Sequence, residues 1–400
     1  MKNILKTMLL GITLASCQPT DTKSYLKEVI ANLENIETAS YQIEEHHWFP
    51  GETTPRVYPP YYVEEYHNPV DTTIGASFVR LDPQNNMRLE NGYNGKVRLS
   101  TFHDVKGVVE DDFTYRKLPF RPIAGPFFNY TRNILQYITE TTDSIEVNMV
   151  DEDSCYHLSL VIHEENQIEF FGKAHRIPEY PHIIDPTSRY EVWINKSNNL
   201  PFKYKRDMEQ GANMEICISP TFNQLKLSDF NLHSYIPEGY EMRKYGEKKK
   251  TKEAHELIGK QAPEWILPDI NEEMVALYNL KDKVILLNFT GIGCGPCQMA
   301  IPFLKELKGQ YSADDFELIA IESWSGSHSA RTHYVKQKGI NYTFLGADEK
   351  VLDDYHTGRA APYFFLLDEK RIVRKVFFGY NENNKNYKNE IKDAIDDMLK

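Results

Sequence analysis

Residues 294–297 read Cys-Gly-Pro-Cys, directly after the apolar run Val284 to Phe289. An apolar run of this kind reads as a buried strand, and the cysteines then fall at a strand-to-helix turn. Two thiols one helical turn apart can hold a reversible disulfide. Cys294 would occupy the first turn, where unpaired backbone N–H groups and the helix dipole favour thiolate over thiol. A thiolate is the species that attacks disulfides. Cys294 is therefore expected to be the accessible, acidic thiol, with Cys297 shielded and placed to resolve a mixed disulfide. The competing reading is a structural zinc site, which needs a second ligand pair. Cys17, Cys155 and Cys217 stand alone, and no His pair near the motif has ligand spacing. The motif therefore points to redox chemistry, with no metal and no prosthetic group.

The motif's surroundings narrow the reading. Ile258-Gly259-Lys260-Gln261-Ala262-Pro263 precedes it, Pro302 follows five residues after Cys297, and Ala360-Ala361-Pro362-Tyr363-Phe364-Phe365-Leu366-Leu367-Asp368 comes later. This order and spacing, over about the last 140 residues, resembles the thioredoxin-like TlpA family of membrane-anchored thiol–disulfide oxidoreductases. The resemblance implies a cis Pro362 facing the disulfide. The backbone of Ala361 would then pair with a substrate strand, with Gly293, Gly295 and Pro296 completing the docking surface. It implies protein disulfides as substrates and a membrane thiol reductant as electron donor. Gly-Pro between the cysteines matches the reducing end of the superfamily, near about −270 mV rather than about −120 mV. Three positions depart from the family. Gly293 replaces the usual Trp, Ala300 replaces a common Glu, and Asn288 stands where thioredoxin keeps a buried Asp. Glu322 is the candidate stand-in proton carrier.

The chain's beginning bears on compartment. Lys2 and Lys6 flank a positive start, and Met8 to Ala15 is apolar but too short to span a bilayer. Leu14-Ala15-Ser16-Cys17 resembles the bacterial lipobox, which implies cleavage before Cys17 and lipid on that residue. A chance cysteine after an ordinary signal peptide is the alternative. The expectation is a cell-envelope protein tethered to a membrane, its redox domain periplasmic. A net charge of −12 argues against nucleic acid.

Four hundred residues fit two or three domains. The expected plan is a signal peptide over 1–16, a lipidated tether over 17–23, a β-rich domain over 24–242, a charged linker over 243–256 and a thioredoxin-like domain over 257–400. Ser24 to Glu37 has helical apolar spacing, and Tyr130 to Ile138 is a second helix. Asn91-Gly92 with Asn94-Gly95, and Asn198-Asn199, signal hairpins. Cys155 to Ile162, Gln167 to Phe171 and Met214 to Ile218 read as strands. These predict an α+β domain, a large curved antiparallel sheet with one or two helices on its concave face. The opening helix and the stretch Trp193 to Pro201 resemble the LolA/LppX-type half-barrel, which implies a hydrophobic ligand. A scaffold that only positions the redox domain fits the same pattern. The C-terminal part reads β-β-α-β-α-β-α-β-β-α, an α/β fold with a central mixed sheet.

Other groupings carry less. His46 and His47 are adjacent on a strand and point to opposite faces. Ser325, Ser327, His328 and Ser329 form a polar loop without a nucleophile-elbow motif. The tyrosines at 58, 61, 62 and 66 read as packing. Cys155 and Cys217 are either paired in an oxidising compartment or free in separate strands. Two further classes of function stay open: a lipid- or polypeptide-binding lipoprotein with a docking redox domain, and a peroxiredoxin-type peroxidase. The latter should carry a lone cysteine after Pro and Thr, a pattern this chain lacks.

Overall fold

The computed structural model describes residues 21–115, 123–178, 183–247, 254–324, 327–381 and 385–400. The expected signal peptide and Cys17 lie outside the described residues, as do 248–253 of the expected linker and Ser325.

The N-terminal part contains α1 (Thr22–Glu34) and α2 (Phe127–Glu140). Its strands are β1 (Thr38–Trp48), β2 (Arg56–His67), β3 (Ala76–Asp82), β4 (Arg88–Tyr93), β5 (Arg98–Phe102), β6 (Gly107–Asp111), β7 (Ile145–Asp151), β8 (Cys155–Ile162), β9 (Ile168–Phe170), β10 (Ala174–Arg176), β11 (Ser188–Asn195), β12 (Leu200–Met208), β13 (Gly211–Phe222) and β14 (Glu241–Lys244). Twelve of them form one sheet in the order β14-β6-β5-β4-β3-β2-β1-β13-β12-β11-β8-β7, and β9 and β10 form a separate ribbon. Every pairing in the large sheet is antiparallel except β14 with β6. The predicted antiparallel sheet is therefore present.

Alternation builds the core. Leu158, Leu160 and Ile162 of β8 and Tyr190, Val192 and Ile194 of β11 are buried on one face. Leu26, Val29 and Leu33 of α1 and Ile134, Leu135 and Ile138 of α2 pack into the same cluster. Both helices thus pack on one face of the sheet across β1, β2, β13, β12, β11, β8 and β7.

Helix α2 starts three residues before its expected position for a tertiary reason. Its N-cap is Pro126, whose side chain supplies no hydrogen bond. Glu65 on β2 supplies the cap, accepting from the N–H groups of Phe128 (3.1 Å) and Asn129 (2.7 Å) and from the Tyr41 hydroxyl (2.6 Å). Tyr41 Oη in turn accepts from the Phe127 N–H at 2.9 Å. Burial pushes the Glu65 carboxyl above its ordinary range, and these donors pull it partly back.

Several expectations need correction. Asn91-Gly92 lies inside β4, and the hairpin turns at Asn94-Gly95 instead. A Cβ at Gly92 would meet Leu232 Cδ1 at 2.6 Å, so close packing explains that glycine. The expected linker is shorter than 243–256. Arg243 and Lys244 pair in β14, while Ala254 and Leu257 are buried against the C-terminal core. Cys155 and Cys217 are both free and buried. Burial raises both thiols above their ordinary pKa, with Glu152 adding to the effect on Cys155 and Glu65 on Cys217.

The C-terminal part comprises β15 (Ile266–Pro268), β16 (Met274–Ala276), β17 (Val284–Thr290), α3 (Gly295–Gln310), β18 (Phe316–Glu322), α4 (His328–Lys338), β19 (Thr343–Gly346), α5 (Glu349–Asp354), β20 (Tyr363–Leu367), β21 (Val373–Phe378) and α6 (Lys385–Leu399). One more short strand precedes α3 than the sequence predicts, because β15 and β16 form a small hairpin. The main sheet runs β19-β18-β17-β20-β21, with the β17, β18 and β19 pairings parallel and β20 and β21 antiparallel. All seven residues of β17 are buried. Leu286 faces the layer of α3 and α6, and Ile285, Leu287 and Phe289 face the layer holding α5.

The two parts meet at a seam. Gly51, in the turn between β1 and β2, lies so close to α4 that a Cβ there would meet His333 Cβ at 2.3 Å. Its φ of +84° is one that glycine adopts without strain. Phe49 packs against the C-terminal core. Glu209, in the turn between β12 and β13, accepts from Lys338 Nζ at 2.7 Å, with both side chains almost fully buried. Its other oxygen accepts from the N–H groups of Ile184 (2.5 Å) and Asp185 (2.7 Å).

Candidate active site

The cysteines sit where the central strand gives way to α3. Cys294 is the N-cap, and its Sγ accepts from the Cys297 N–H at 3.2 Å. Gly295 and Pro296 form the first turn, where proline's missing N–H has no intrahelical partner to lose. Cys294 and Cys297 are joined by a disulfide, with S–S 2.05 Å and Cα–Cα 5.2 Å. Pro302 lies inside α3 and removes the donor for the Gln298 carbonyl.

The expected contrast in exposure is absent. Cys294 is 3% exposed and Cys297 1%. The asymmetry lies in their neighbours, since Gly293 and Pro296 on either side of Cys294 are exposed. Those two residues form the open rim beside the first cysteine.

The cis peptide Ala361–Pro362 lies opposite. Antiparallel pairing of β17 with β20 sets Phe289 against Tyr363, so the residues before β20 arrive beside the cysteine loop. The Ala361 carbonyl oxygen is 3.8 Å from Cys294 Sγ. Pro362 is buried and Ala361 half-buried.

Glu322 ends β18 level with Thr290 and is 1% exposed. One carboxylate oxygen accepts from the Ile292 N–H (2.8 Å) and the other from the Trp324 N–H (2.7 Å). It thereby ties the end of β18 and Trp324 to the loop that carries Cys294. Asn288 is buried on the Leu286 face, and its Oδ1 has no hydrogen-bond partner among the described residues.

Trp324 was not singled out from sequence. Its Nε1–H donates to the Arg359 carbonyl at 2.7 Å, and its ring lies where a Cβ on Gly291 would meet it at 2.4 Å. It joins the cysteine loop to the segment leading into Pro362. The signal available was a tryptophan two residues after a central strand, next to the loop already noted for its serines. Of those serines, Ser327 does structural work: it caps α4 by accepting from the Ala330 N–H at 3.2 Å.

Among the described residues no group of three or more His, Cys, Asp and Glu is arranged to hold a metal ion, and no helix is long and apolar enough to cross a membrane. His46 pairs with Glu44 at 2.6 Å, and His47 packs edge-on against Phe49.

A mixed sheet with a dithiol at a helix N-terminus and a cis-proline against it defines the thioredoxin-like class of redox proteins. Residues 258–376 match the model of the AhpC/TSA family. A thiol-disulfide oxidoreductase ResA from Bacillus thuringiensis subsp. konkukian is 33% identical over 128 residues, which cover 32% of this chain and 73% of that protein. A ResA from Bacillus cereus is 28% identical over 120 residues, 30% of this chain and 69% of that protein. The thioredoxin domain of a thiol-disulfide oxidoreductase from Bacteroides vulgatus superposes with a TM-score of 0.30 at 16% identity, covering 34% of this chain and 97% of that structure. Through its C-terminal domain the chain belongs to the thioredoxin-like thiol–disulfide oxidoreductases, and it is an enzyme of that kind.

Proposed function

We propose that this enzyme is a lipid-anchored reductase of protein disulfides in the bacterial cell envelope, of the TlpA type. Cys294 attacks a substrate disulfide and forms a mixed disulfide, releasing one substrate thiolate. Cys297 then attacks Cys294 Sγ, releasing the second substrate thiol and leaving the Cys294–Cys297 disulfide. A membrane thiol reductant restores the dithiol by the same exchange in reverse. The cycle needs no prosthetic group.

The observation that carries this reading is the placement of Cys294 at the N-cap of α3, 3.8 Å from the Ala361 carbonyl of the cis-proline segment. The helix terminus favours the attacking thiolate. A substrate strand laid along Ala361, with Gly293, Gly295 and Pro296 beneath it, would bring its disulfide to that sulfur. Glu322 is the proposed proton carrier for Cys297; its hold on the cysteine loop makes Glu322→Gln a test to read by pH profile. Lipidation at Cys17 rests on the lipobox resemblance, and Cys17→Ser is expected to move the protein to the soluble fraction.

For the N-terminal domain we favour a scaffold that positions the redox domain. Helices α1 and α2 occupy the sheet face on which a half-barrel of the LolA type would hold a hydrophobic ligand. Insulin reduction by the full chain separates the reductase from a docking-only lipoprotein, and peroxide consumption would identify a peroxidase. Insulin reduction that disappears in Cys294→Ser supports the proposal. No reduction by the wild-type chain contradicts it.

A further inference from the structure

We infer that Trp324 is a specificity-determining residue, its indole forming a wall of the substrate cleft that selects an apolar side chain beside the substrate's cysteine. This rests on the reductase reading and deepens it by naming a feature of the polypeptide that the site prefers.

The indole lies between the two segments that a substrate must reach. On one side is the cysteine loop. Cys294 donates its N–H to the Gly291 carbonyl at 3.0 Å, and the indole sits so close over Gly291 that a Cβ there would overlap it. On the other side is the cis-proline segment. The indole Nε1–H donates to the Arg359 carbonyl at 2.7 Å, and two residues further on the Ala361 carbonyl lies beside Cys294 Sγ. Ring, sulfur and docking backbone therefore belong to one cluster.

The ring is fixed and still within reach of a guest. Glu322 holds the Trp324 backbone N–H, while Gly291 and Arg359 hold the indole. Trp324 is nevertheless only half-buried, its Nε1–H bond lies at the surface, and Gly293, Arg359 and Ala360 around it are exposed. A Cβ at Gly293 would meet nothing within 4 Å, so the flank of Cys294 is open space. A polypeptide seated there has the indole as its nearest aromatic neighbour.

The chemistry of the guest follows from what the ring has left to offer. Indole carries one polar hydrogen, and Arg359 already accepts it, so only hydrocarbon faces a substrate. The Arg359 guanidinium is itself ion-paired with Glu349 of α5. An apolar side chain packed on the ring leaves water favourably, whereas a hydroxyl or a charge would lose water without gaining a partner. A wall already locked in place loses little freedom when the guest arrives.

The test uses the pre-reduced full chain and symmetric peptide disulfides that differ only beside the cysteine, carrying Leu, Ser or Lys. The measured quantity is the second-order rate at which each peptide oxidises the enzyme dithiol. Wild type should favour Leu over Ser by about 10-fold. Trp324→Ala should make the two rates nearly equal, and Trp324→Phe, which keeps a ring, should retain most of the preference. A purely structural role for Trp324 would lower both rates together and leave their ratio intact, which would overturn the inference. A preference for Lys over Ser that disappears in Trp324→Ala would overturn it too, since the ring would then select cations. Should the alanine variant fold poorly, Cys297→Ser trapped as a mixed disulfide with each peptide gives a second reading. The Trp324 indole N–H resonance, assigned by its loss in Trp324→Phe, should shift more with the Leu peptide than with the Ser peptide, and equal shifts would overturn the inference. If the reduced wild-type chain is oxidised by none of the peptides, the reductase reading falls and the inference with it.

Discussion

Glu215 shows what burial does to a single carboxyl in this protein. It lies on β13 inside the sheet domain, and burial pushes its pKa up to about 6 despite the nearby Arg80 guanidinium, which pulls it down. A carboxyl raised in the folded state binds its proton more tightly there than in the unfolded chain. Its contribution is therefore complete below about pH 4.5 and is lost as pH rises through about 6, some 2 kcal/mol in all. Glu215→Gln should flatten the stability curve across that window. Urea melts at pH 4.5, 5.5 and 6.5 check this, and parallel pH slopes for wild type and variant would refute it. At the same scale, the two motif cysteines were legible from their own spacing, whereas the cis Pro362 was implied only by the resemblance of its surroundings to a known family. Trp324 was not, since its bond to the Arg359 carbonyl depends on two loops meeting from opposite ends of neighbouring strands. Ala300, noted in sequence for its missing carboxylate, is on the buried face of α3 and is fully enclosed in the core. A glutamate there would have to enter a filled space.

Elements differ in how openly they were written. Strand β17 is apolar except at Asn288 and Thr290, and it needed only its own residues to be read. Helix α1 has the apolar spacing and an Asp21 cap that accepts from the Lys23 N–H at 3.1 Å. Helix α2 begins without a local cap because Glu65, more than sixty residues earlier, supplies it. No pattern within α2 could mark that start. The loop from β17 to α3 is the element on which activity depends most, and its shape rests on Gly291 lying under Trp324. Gly291→Ala places a methyl within 2.4 Å of the indole, so ring or loop must move. The expected outcome is a loss of about 1–3 kcal/mol together with slower disulfide exchange. Thermal melts and insulin turnover, measured on the same preparation, check both parts. A variant with unchanged melting and unchanged rate would show that the indole does not brace this loop.

At the scale of the whole molecule, the seam is what the sequence could not disclose. Charge density suggested an exposed connection over 243–256, which implied two bodies joined by a tether. Instead the β1–β2 and β12–β13 turns pack on α4, and the ion pair between Glu209 and Lys338 is buried between them. Pairings between residues 129 positions apart leave no local signature. Removing one member of a buried pair leaves the other charge uncompensated. Glu209→Ala should therefore cost about 3 kcal/mol, whereas Glu209→Met with Lys338→Met should cost far less. Chemical denaturation of both forms decides it, and equal losses would mean that the pair is solvated in solution.

The central claim is that Cys294 attacks and Cys297 resolves. The most direct measurement is to mix reduced full-length Cys297→Ser with oxidised insulin and map the adduct by mass spectrometry. The account predicts a persistent mixed disulfide on Cys294, and none when Cys294→Ser is treated in the same way. An adduct carried by Cys155 or Cys217, or an adduct that survives loss of Cys294, would contradict it.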